Sequence, residues 1–260
     1  MKLTILGLGE DASVIASELV KQGVDVVAFD PARPKNPVVT LVDSAEAAVA
    51  DADVIFSLNS ANSSIRLAQQ VAAHIKPGAI FCDLNTGTPS LKKRLAEIAP
   101  AGSFVDAALM HASAGTGKKV SLLVSGAGAK RMIELFEGLS LDITHVSDVP
   151  GDAAARKQIR TILEKGIAAV AIDTLWAAKS MGLENWAIEE IKREFETSSS
   201  ATIQRLLDDT QQHPKRHSVE MADVVEMLTE AGHESTMVRG VELTLSRVIH
   251  GVRVPFAELD

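Results

Sequence analysis

The sequence predicts an α/β fold in which a doubly wound sheet is followed by an all-α C-terminal domain on a long connecting helix. Short apolar strands alternate with helical segments through the first 150 residues, which is the pattern of repeated βαβ units. Residues 152–181 form one uninterrupted helical pattern about 45 Å long. Beyond it, apolar residues recur at helical spacing. We therefore expect two domains, residues 1–150 and 151–260.

The composition restricts the class of protein. Apolar residues make up 46% of the 260 residues, so the chain can bury a sizeable core. The net charge of −8 and the small basic clusters argue against a nucleic-acid partner. The sequence shows neither a membrane-spanning apolar stretch nor a signal peptide, so we expect a cytoplasmic protein. The single cysteine, Cys82, fits a small buried strand residue. His213 and His217 have metal-like i, i+4 spacing, but Pro214 between them favours a helix N-terminus over a zinc site.

The first βαβ unit carries a glycine fingerprint. A strand at Lys2–Leu6 ends in a turn that opens a helix, and a second strand follows and closes at Asp30. The fingerprint residues are Gly7, Leu8, Gly9, Glu10, Asp11 and Ala12. In such a turn the first glycine permits the tight bend, the second lets the backbone approach a pyrophosphate, and the alanine keeps helix and strand close. The pattern predicts a Rossmann-type domain that binds a dinucleotide at the N-terminus of its first helix.

The residues after the second strand bear on the choice of cofactor. Asp30 stands where an acidic side chain hydrogen-bonds the adenosine ribose 2′-hydroxyl, and this favours NAD. Arg33, three residues further on, is suited to a 2′-phosphate. The sequence therefore favours NAD and leaves NADP open.

The alternation of strands and helices continues to residue 146. Further strands are predicted at residues 38–42, 53–58, 79–82, near 104, 120–124 and 143–146, and further helices at 44–50, 65–74, from Pro89 and at 129–139. Thr88 is expected to cap the helix that begins at Pro89. In a doubly wound sheet, ligands bind at the carboxyl ends of the strands. This topology predicts that Asn59, Ser60 and Thr86 line the cofactor site.

The long helix carries a polar stripe on an otherwise apolar surface. Its members, which follow i, i+3, i+4, i+7 spacing and share one face, are Lys157, Arg160, Thr161 and Glu164. Apolar residues lie almost all round the rest of the cylinder, which is typical of a helix buried between other elements. Cationic and hydroxyl groups on a buried helix indicate a wet cleft. The alternative is an internally paired Lys–Arg–Glu surface.

Together these features resemble the β-hydroxyacid dehydrogenase superfamily, which includes 6-phosphogluconate dehydrogenase and the imine reductases. The resemblance is carried by the glycine turn with Asp30, by Asp83-Leu-Asn-Thr86, by Val105-Asp106 before Leu122-Leu-Val-Ser-Gly126, and by Gly151 followed by Lys157 and Thr161. These motifs cover residues 1–165. The later helices are more loosely similar to the branch whose C-terminal domain was long catalogued as of unknown function.

The resemblance implies roles for particular residues. In the family, the lysine matching Lys157 is the general acid/base, and the residue matching Thr86 touches the cofactor. The family's Ser-Gly-Gly substrate loop is replaced here by Met110-His111-Ala112, and its asparagine four residues after the lysine is replaced by Thr161. Substrate orientation is therefore expected to differ from the common pattern. The resemblance also implies a homodimer formed through the C-terminal helices.

We accordingly expect an NAD(P)-dependent oxidoreductase that moves a hydride between nicotinamide and a small anionic hydroxy acid or its carbonyl partner. Arg160 is the candidate for the substrate carboxylate, with Thr161 and His111 as hydrogen-bonding partners. One alternative is an imine or other carbonyl reductase on the same scaffold, although imine reductases usually carry Asp or Tyr where Lys157 stands. Another is an NAD(P)-sensing protein without turnover, which needs no acid/base residue.

Overall fold

The computed structural model describes residues 1–32, 38–111 and 119–258. The chain divides into two compact units, residues 1–160 and 161–260, and the division falls within the long helix. The first unit is built on one eight-stranded sheet, and the described elements of the second unit are helices. The predicted α/β region and the all-α C-terminal region are confirmed.

The sheet is mostly parallel. Its strands are β1 (Lys2–Leu6), β2 (Asp25–Phe29), β3 (Thr40–Leu41), β4 (Val54–Ser57), β5 (Ile80–Asp83), β6 (Phe104–His111), β7 (Val120–Ser125) and β8 (Leu141–Ser147). They are ordered β3-β2-β1-β4-β5-β6-β7-β8, and every neighbouring pair is parallel except β6–β7. The order of the strands reverses between β1 and β4, since the chain proceeds from β1 to β3 in one direction and from β4 to β8 in the other. Such sheets bind ligands in the crevice at the carboxyl ends of the two strands where the order reverses.

The helices follow the predicted pattern with small shifts of their ends. They are α1 (Glu10–Lys21), α2 (Ala45–Val49), α3 (Ala61–Val71), α4 (Pro89–Ile98), α5 (Ala129–Leu135), α6 (Asp152–Ser180), α7 (Glu184–Thr197), α8 (Ser200–Gln212), α9 (Pro214–Glu230) and α10 (Thr236–Ile249). The predicted start of α4 is confirmed, since the Thr88 side chain accepts a hydrogen bond from the Leu91 N–H and Pro89 is the first helical residue.

Two apolar layers bury the two faces of the sheet. Alternation along β5 shows the arrangement, since Ile80 and Cys82 face one layer and Phe81 the other. Cys82 is fully buried, and burial raises the pKa of its thiol well above the ordinary value. The interpretation of this cysteine as a small buried strand residue is confirmed.

The prediction that α6 is buried is wrong for most of its length. Ile162 is 75% exposed and Leu163 is 62% exposed. Large apolar residues that are exposed on α6 and α7 are Ile159, Ile162, Leu163, Ile167, Val170, Ile172, Trp176, Trp186 and Phe195. Apolar residues all round a helix indicate that the helix needs a covering surface, but they do not indicate whether the same chain provides it.

A helix that crosses a membrane needs about 20 consecutive, mostly apolar residues. Within residues 1–32, 38–111 and 119–258, no helix is both long and apolar enough to do so.

Candidate active site

A cleft of about 520 Å³ lies at the carboxyl ends of β1, β2 and β4. It brings together five of the residues that the sequence assigned to a cofactor, namely Gly7, Gly9, Asp30, Asn59 and Ser60. Its other described lining residues are Phe29, Pro31, Leu58, Ser63, Arg66, Leu67 and Gln70. The cleft is therefore the candidate dinucleotide site.

The two glycines of the turn serve different purposes. Gly7 has a φ of +99°, and a Cβ built on it would lie 2.3 Å from the carbonyl oxygen of Leu58, so no other residue fits there. A Cβ built on Gly9 meets no described atom within 4 Å. Gly9 also directly precedes α1 and has no side chain to cap it, which leaves the first-turn amides of α1 to an anion in the cleft. The turn thus fits a pyrophosphate.

Asp30 links the glycine turn to the segment after β2. Its Oδ2 accepts a hydrogen bond from the Leu8 N–H at 2.7 Å, and its Oδ1 accepts one from the Ala32 N–H at 2.9 Å. A carboxylate has about four acceptor positions, so each oxygen retains capacity for a ribose hydroxyl. Arg33, the candidate for a 2′-phosphate, lies outside the described residues.

Other sequence-assigned cofactor residues do not line the cleft. The side chains of Leu8 and Ala12 are buried in the core, so that Leu8 takes part only through its backbone N–H. Glu10 and Asp11 are exposed in the first turn of α1. Thr86 is exposed on the loop that follows β5 and is not among the lining residues.

A chain of hydrogen bonds leads from the cleft to the neighbouring strand. The Asn59 N–H donates to Asn85 Oδ1 at 2.7 Å, and Asn85 Nδ2 donates to Asp83 Oδ1 at 2.6 Å and to Ser57 Oγ at 3.1 Å. Asn59 Oδ1 in turn accepts from the Ser60 N–H at 2.7 Å. The ends of β4 and β5 are therefore held in a fixed relation beside the cleft.

A fully buried ion cluster continues this chain towards β6. Lys92 Nζ donates to Asp83 Oδ2 at 2.6 Å and to the Asp83 carbonyl oxygen at 2.9 Å. It lies 3.2 Å from Asp106 Oδ1, an ion pair and not an aligned hydrogen bond. Burial by itself lowers the pKa of Lys92, but the attraction of Asp83 and Asp106 outweighs burial and raises it. Lys92 is therefore charged at neutral pH.

The N-terminus of α6 is bound by the sheet. Asp106 Oδ2 accepts hydrogen bonds from the Gly151 N–H at 3.1 Å and the Ala154 N–H at 3.0 Å. Ser125 Oγ accepts from the Ala153 N–H at 3.1 Å. Asp152 is the first residue of α6 and accepts instead from Ser147 Oγ, so the capping groups come from β6 and β7.

The next turn of α6 carries the polar stripe. Gln158 Nε2 donates to the Gly87 carbonyl oxygen at 2.8 Å, and Arg160 Nη1 donates to the Met110 carbonyl oxygen at 2.7 Å. Lys157, which directly precedes Gln158 in the sequence, is half-buried. This turn therefore lies against the loop after β5 and the end of β6.

Fewer contacts are described for the other two predicted substrate residues, Thr161 and His111. Thr161 is half-buried and belongs to the second unit. The side chain of His111 lies outside the described part of the chain, although its backbone ends β6 beside Met110.

Sequence reasoning missed the buried cluster and part of the cleft. Ser63 and Arg66 follow Asn59 at helical spacing, so their place on the cleft face of α3 was readable once that helix was placed. Lys92 stands in a run of three basic residues, 92–94, which is typical of a solvated surface. Its position among Leu91, Leu95 and Ala96 on a half-apolar helix was the available signal, but lysines on such helices usually reach water.

Comparison with known proteins shows that the chain has an NAD(P)-binding, hydroxyacid dehydrogenase-like fold. The family model described as the NAD binding domain of 6-phosphogluconate dehydrogenase matches residues 2–145, more than half of the chain, so the chain belongs to this family. Residues 178–248 match a model described as Domain of unknown function (DUF1932).

Two similar structures match nearly the full length of this chain, and a third relative matches 73% of it. A conserved protein of unknown function, described as structurally similar to 3-hydroxyacid dehydrogenases, is 25% identical with a TM-score of 0.60, and the match covers 96% of this chain and 97% of the other. An imine reductase from Myxococcus stipitatus in complex with NADP+ is 17% identical with a TM-score of 0.83, covering 98% and 96%. An uncharacterized 28.5 kDa protein of Methanothermus fervidus is 22% identical over 196 residues, covering 73% and 75%.

The two glycines give a test of the cleft. Gly9→Val should abolish NAD(P) binding in calorimetry while the circular dichroism spectrum stays native, because the new side chain enters the space where a pyrophosphate would lie and its Cβ meets no described atom within 4 Å. Gly7→Ala is the matched control and should destabilise the fold itself, because its Cβ overlaps the Leu58 carbonyl. Retained binding by Gly9→Val would reduce the fingerprint to a tight turn.

Proposed function

We propose that this protein is an NAD(P)-dependent oxidoreductase that interconverts a small anionic hydroxy acid and its carbonyl partner, with Lys157 as general acid/base. The observation that carries the proposal is the anchoring of one turn of α6 at the carboxyl edge of the sheet. Gln158 and Arg160 bind the backbone at Gly87 and Met110, and these bonds hold the turn that begins at Lys157 next to the loop that follows β5. A lysine held there is suited to proton transfer.

The nicotinamide of a bound cofactor supplies or takes the hydride. In the reducing direction the carbonyl carbon gains the hydride, and the carbonyl oxygen gains a proton from the Lys157 ammonium group. The resulting neutral amine is reprotonated from water. In the oxidising direction the Lys157 amine takes the hydroxyl proton as the hydride leaves carbon. Because Lys157 is half-buried, it can exchange protons with solvent between turnovers.

Arg160 is the proposed carboxylate partner. Its Nη1 donates to the Met110 carbonyl oxygen, which fixes the guanidinium at the end of β6. A guanidinium is planar and can bind a carboxylate through two parallel N–H groups. Thr161 and His111 remain the proposed hydrogen-bonding partners of the substrate. They stand where the family's asparagine and Ser-Gly-Gly loop are replaced, so they would define a substrate preference of this chain.

The second candidate is an imine or related carbonyl reductase. Its support is the close fold similarity to the imine reductase from Myxococcus stipitatus. A panel of small hydroxy acids, semialdehydes and cyclic imines, followed by nicotinamide absorbance with NAD and NADP, separates the two. Turnover of hydroxy acids or semialdehydes supports the first candidate, turnover of imines alone supports the second, and cofactor binding without any turnover contradicts both in favour of a sensor.

Lys157→Ala should lower kcat by about 10²- to 10⁴-fold with the best substrate of the panel, which is the usual contribution of a positioned proton donor. Lys157→Arg should not restore the rate, because guanidinium retains its proton near neutral pH. The affinity for the cofactor should change little. Lys165→Ala, which removes an exposed lysine from the same helix, is the matched control and should leave kcat unchanged.

The competing interpretation is that Lys157 only pairs with a neighbouring carboxylate. In that case Lys157→Ala lowers Tm and leaves kcat nearly intact, and the proposed mechanism ends. Arg160→Ala distinguishes binding from chemistry, because loss of a carboxylate partner should mainly raise KM.

We propose that the preferred cofactor is NAD, because the Asp30 carboxylate is placed at the cleft and repels a 2′-phosphate. Asp30→Asn keeps an acceptor oxygen but removes the charge, so it should lower the preference for NAD over NADP by about 10-fold, corresponding to about 1.4 kcal/mol. Calorimetric Kd values for both cofactors measure this. Equal weakening of both, or a native preference for NADP, would contradict the role of Asp30 in selection.

We also propose that the protein is a homodimer that covers the exposed apolar surface of the second unit. A groove of about 630 Å³ between α6 and α7 is lined by Ile162, Leu163, Ile167, Val170, Trp186 and Phe195, with further residues. Light scattering should give twice the 27.6 kDa monomer mass. Trp186→Glu should weaken association, whereas Val149→Glu, an exposed apolar site in the first unit, should not. A monomer at micromolar concentration would contradict the proposal.

A further inference from the structure

We propose that Asp106 is a positioning residue for Lys157 and that Lys92 couples this positioning to the cofactor side of the sheet. The inference rests on the proposed function, since it concerns how the acid/base lysine is placed. Asp106 does not itself meet the reacting atoms in this proposal. It acts through the first turn of α6.

The contacts of Asp106 converge on one turn of helix. Its Oδ2 receives the amides of Gly151 and Ala154, and Ser125 Oγ donates to the same oxygen at 3.2 Å. Ser125 also binds the Ala153 amide. Three amides at the start of α6 are thus held by two side chains from adjacent strands, and both side chains are fully buried. These bonds fix the position of α6 along its own axis, and its rotation about that axis, relative to β6 and β7.

Lys157 lies one turn beyond these bonds. Ala153 and Ala154 precede it by four and three residues, so a shift or rotation of the anchored turn passes directly to the lysine. Gly151 leaves little freedom, since its φ is +100° and a Cβ built on it would lie 2.8 Å from the Pro89 carbonyl oxygen. Pro89 begins α4, the helix that carries Lys92.

Lys92 links Asp106 to Asp83, which directly precedes the loop at residues 84–88. It binds Asp83 by side chain and backbone and pairs with Asp106 on the other side. Asn85 and Gly87 lie on the loop that follows Asp83. Asn85 donates to Asp83 and accepts a hydrogen bond from the backbone N–H of Asn59 at the cleft. The positive N-terminal end of α6 offsets the excess negative charge of two carboxylates around one ammonium group. One buried lysine therefore sets the spacing between the loop at residues 84–88 and α6, the helix of Lys157.

The test uses Asp106→Asn, which keeps one oxygen for the helix amides but removes the charge that pairs with Lys92. We expect kcat to fall by about 10- to 100-fold, as for a small misplacement of a catalytic group, while the Kd for NAD changes by less than about two-fold. Lys130→Met, which breaks the exposed pair with Asp148, is the control and should leave kcat unchanged.

Repeating Asp106→Asn in a protein that lacks Lys157 distinguishes a positioning role of Asp106 from a purely structural one. In a Lys157→Ala background, Asp106→Asn should lower the residual rate by less than about two-fold, because the group that it positions is gone. An equal fold-loss in both backgrounds would overturn the proposal, and so would an unchanged kcat in a folded Asp106→Asn protein. Ser125→Ala gives a second variant if Asp106→Asn does not fold, with a smaller loss of kcat that also disappears in the Lys157→Ala background.

Hydrogen exchange tests, without any turnover measurement, whether Asp106 and Ser125 hold the first turn of α6. In Ser125→Ala, the amides of residues 153–157 should exchange faster while those of α1 stay as protected as in the native protein. Unchanged exchange at 153–157 would overturn the anchoring step. If Lys157→Ala alone leaves turnover intact, the proposed function fails, and this measurement still reports whether the sheet holds the first turn of α6.

Discussion

The structure depends on a lysine and two aspartates that are buried together at the carboxyl edge of the sheet. Lys92 is 1% exposed and Asp83 and Asp106 are 0% exposed, so each charge would be very costly without the others. Their attraction raises the pKa of Lys92 in spite of burial. The cluster joins β5 to β6 and, through Asp106, binds the first turn of α6.

This arrangement explains how one sheet edge serves two purposes. On one side, the glycine turn, Asp30 and Asn59 form a cleft that fits a dinucleotide. On the other side, α6 begins against β6 and carries Lys157 one turn later. Hydrogen bonds through Asn85 and Asp83 connect the two sides. Asn85 and Asp83 would thus hold a cofactor and the proposed proton donor, Lys157, in a fixed relation.

Local features of the site could be predicted from the sequence, whereas contacts across the chain could not. The glycine turn, Asp30 and the Thr88 cap depend on residues close in sequence, so their pattern is readable. The capping of Ala154 by Asp106 joins residues 48 positions apart, and no periodicity predicts it. The apolar pattern of α6 predicted burial, yet Ile162 is exposed. An apolar pattern indicates that a surface needs to be covered, but it does not identify what covers it.

A double-mutant cycle on unfolding free energy tests the role of the cluster most directly. Lys92→Met should lose about 3–5 kcal/mol in urea denaturation, because it leaves two buried carboxylates without their cation. Adding Asp106→Asn should cost about 0.5–3 kcal/mol less than the sum of the two single losses, since one unpaired charge is then removed. Additive losses, or a loss below about 1 kcal/mol for Lys92→Met, would contradict the view that this cluster holds the sheet edge and α6 together.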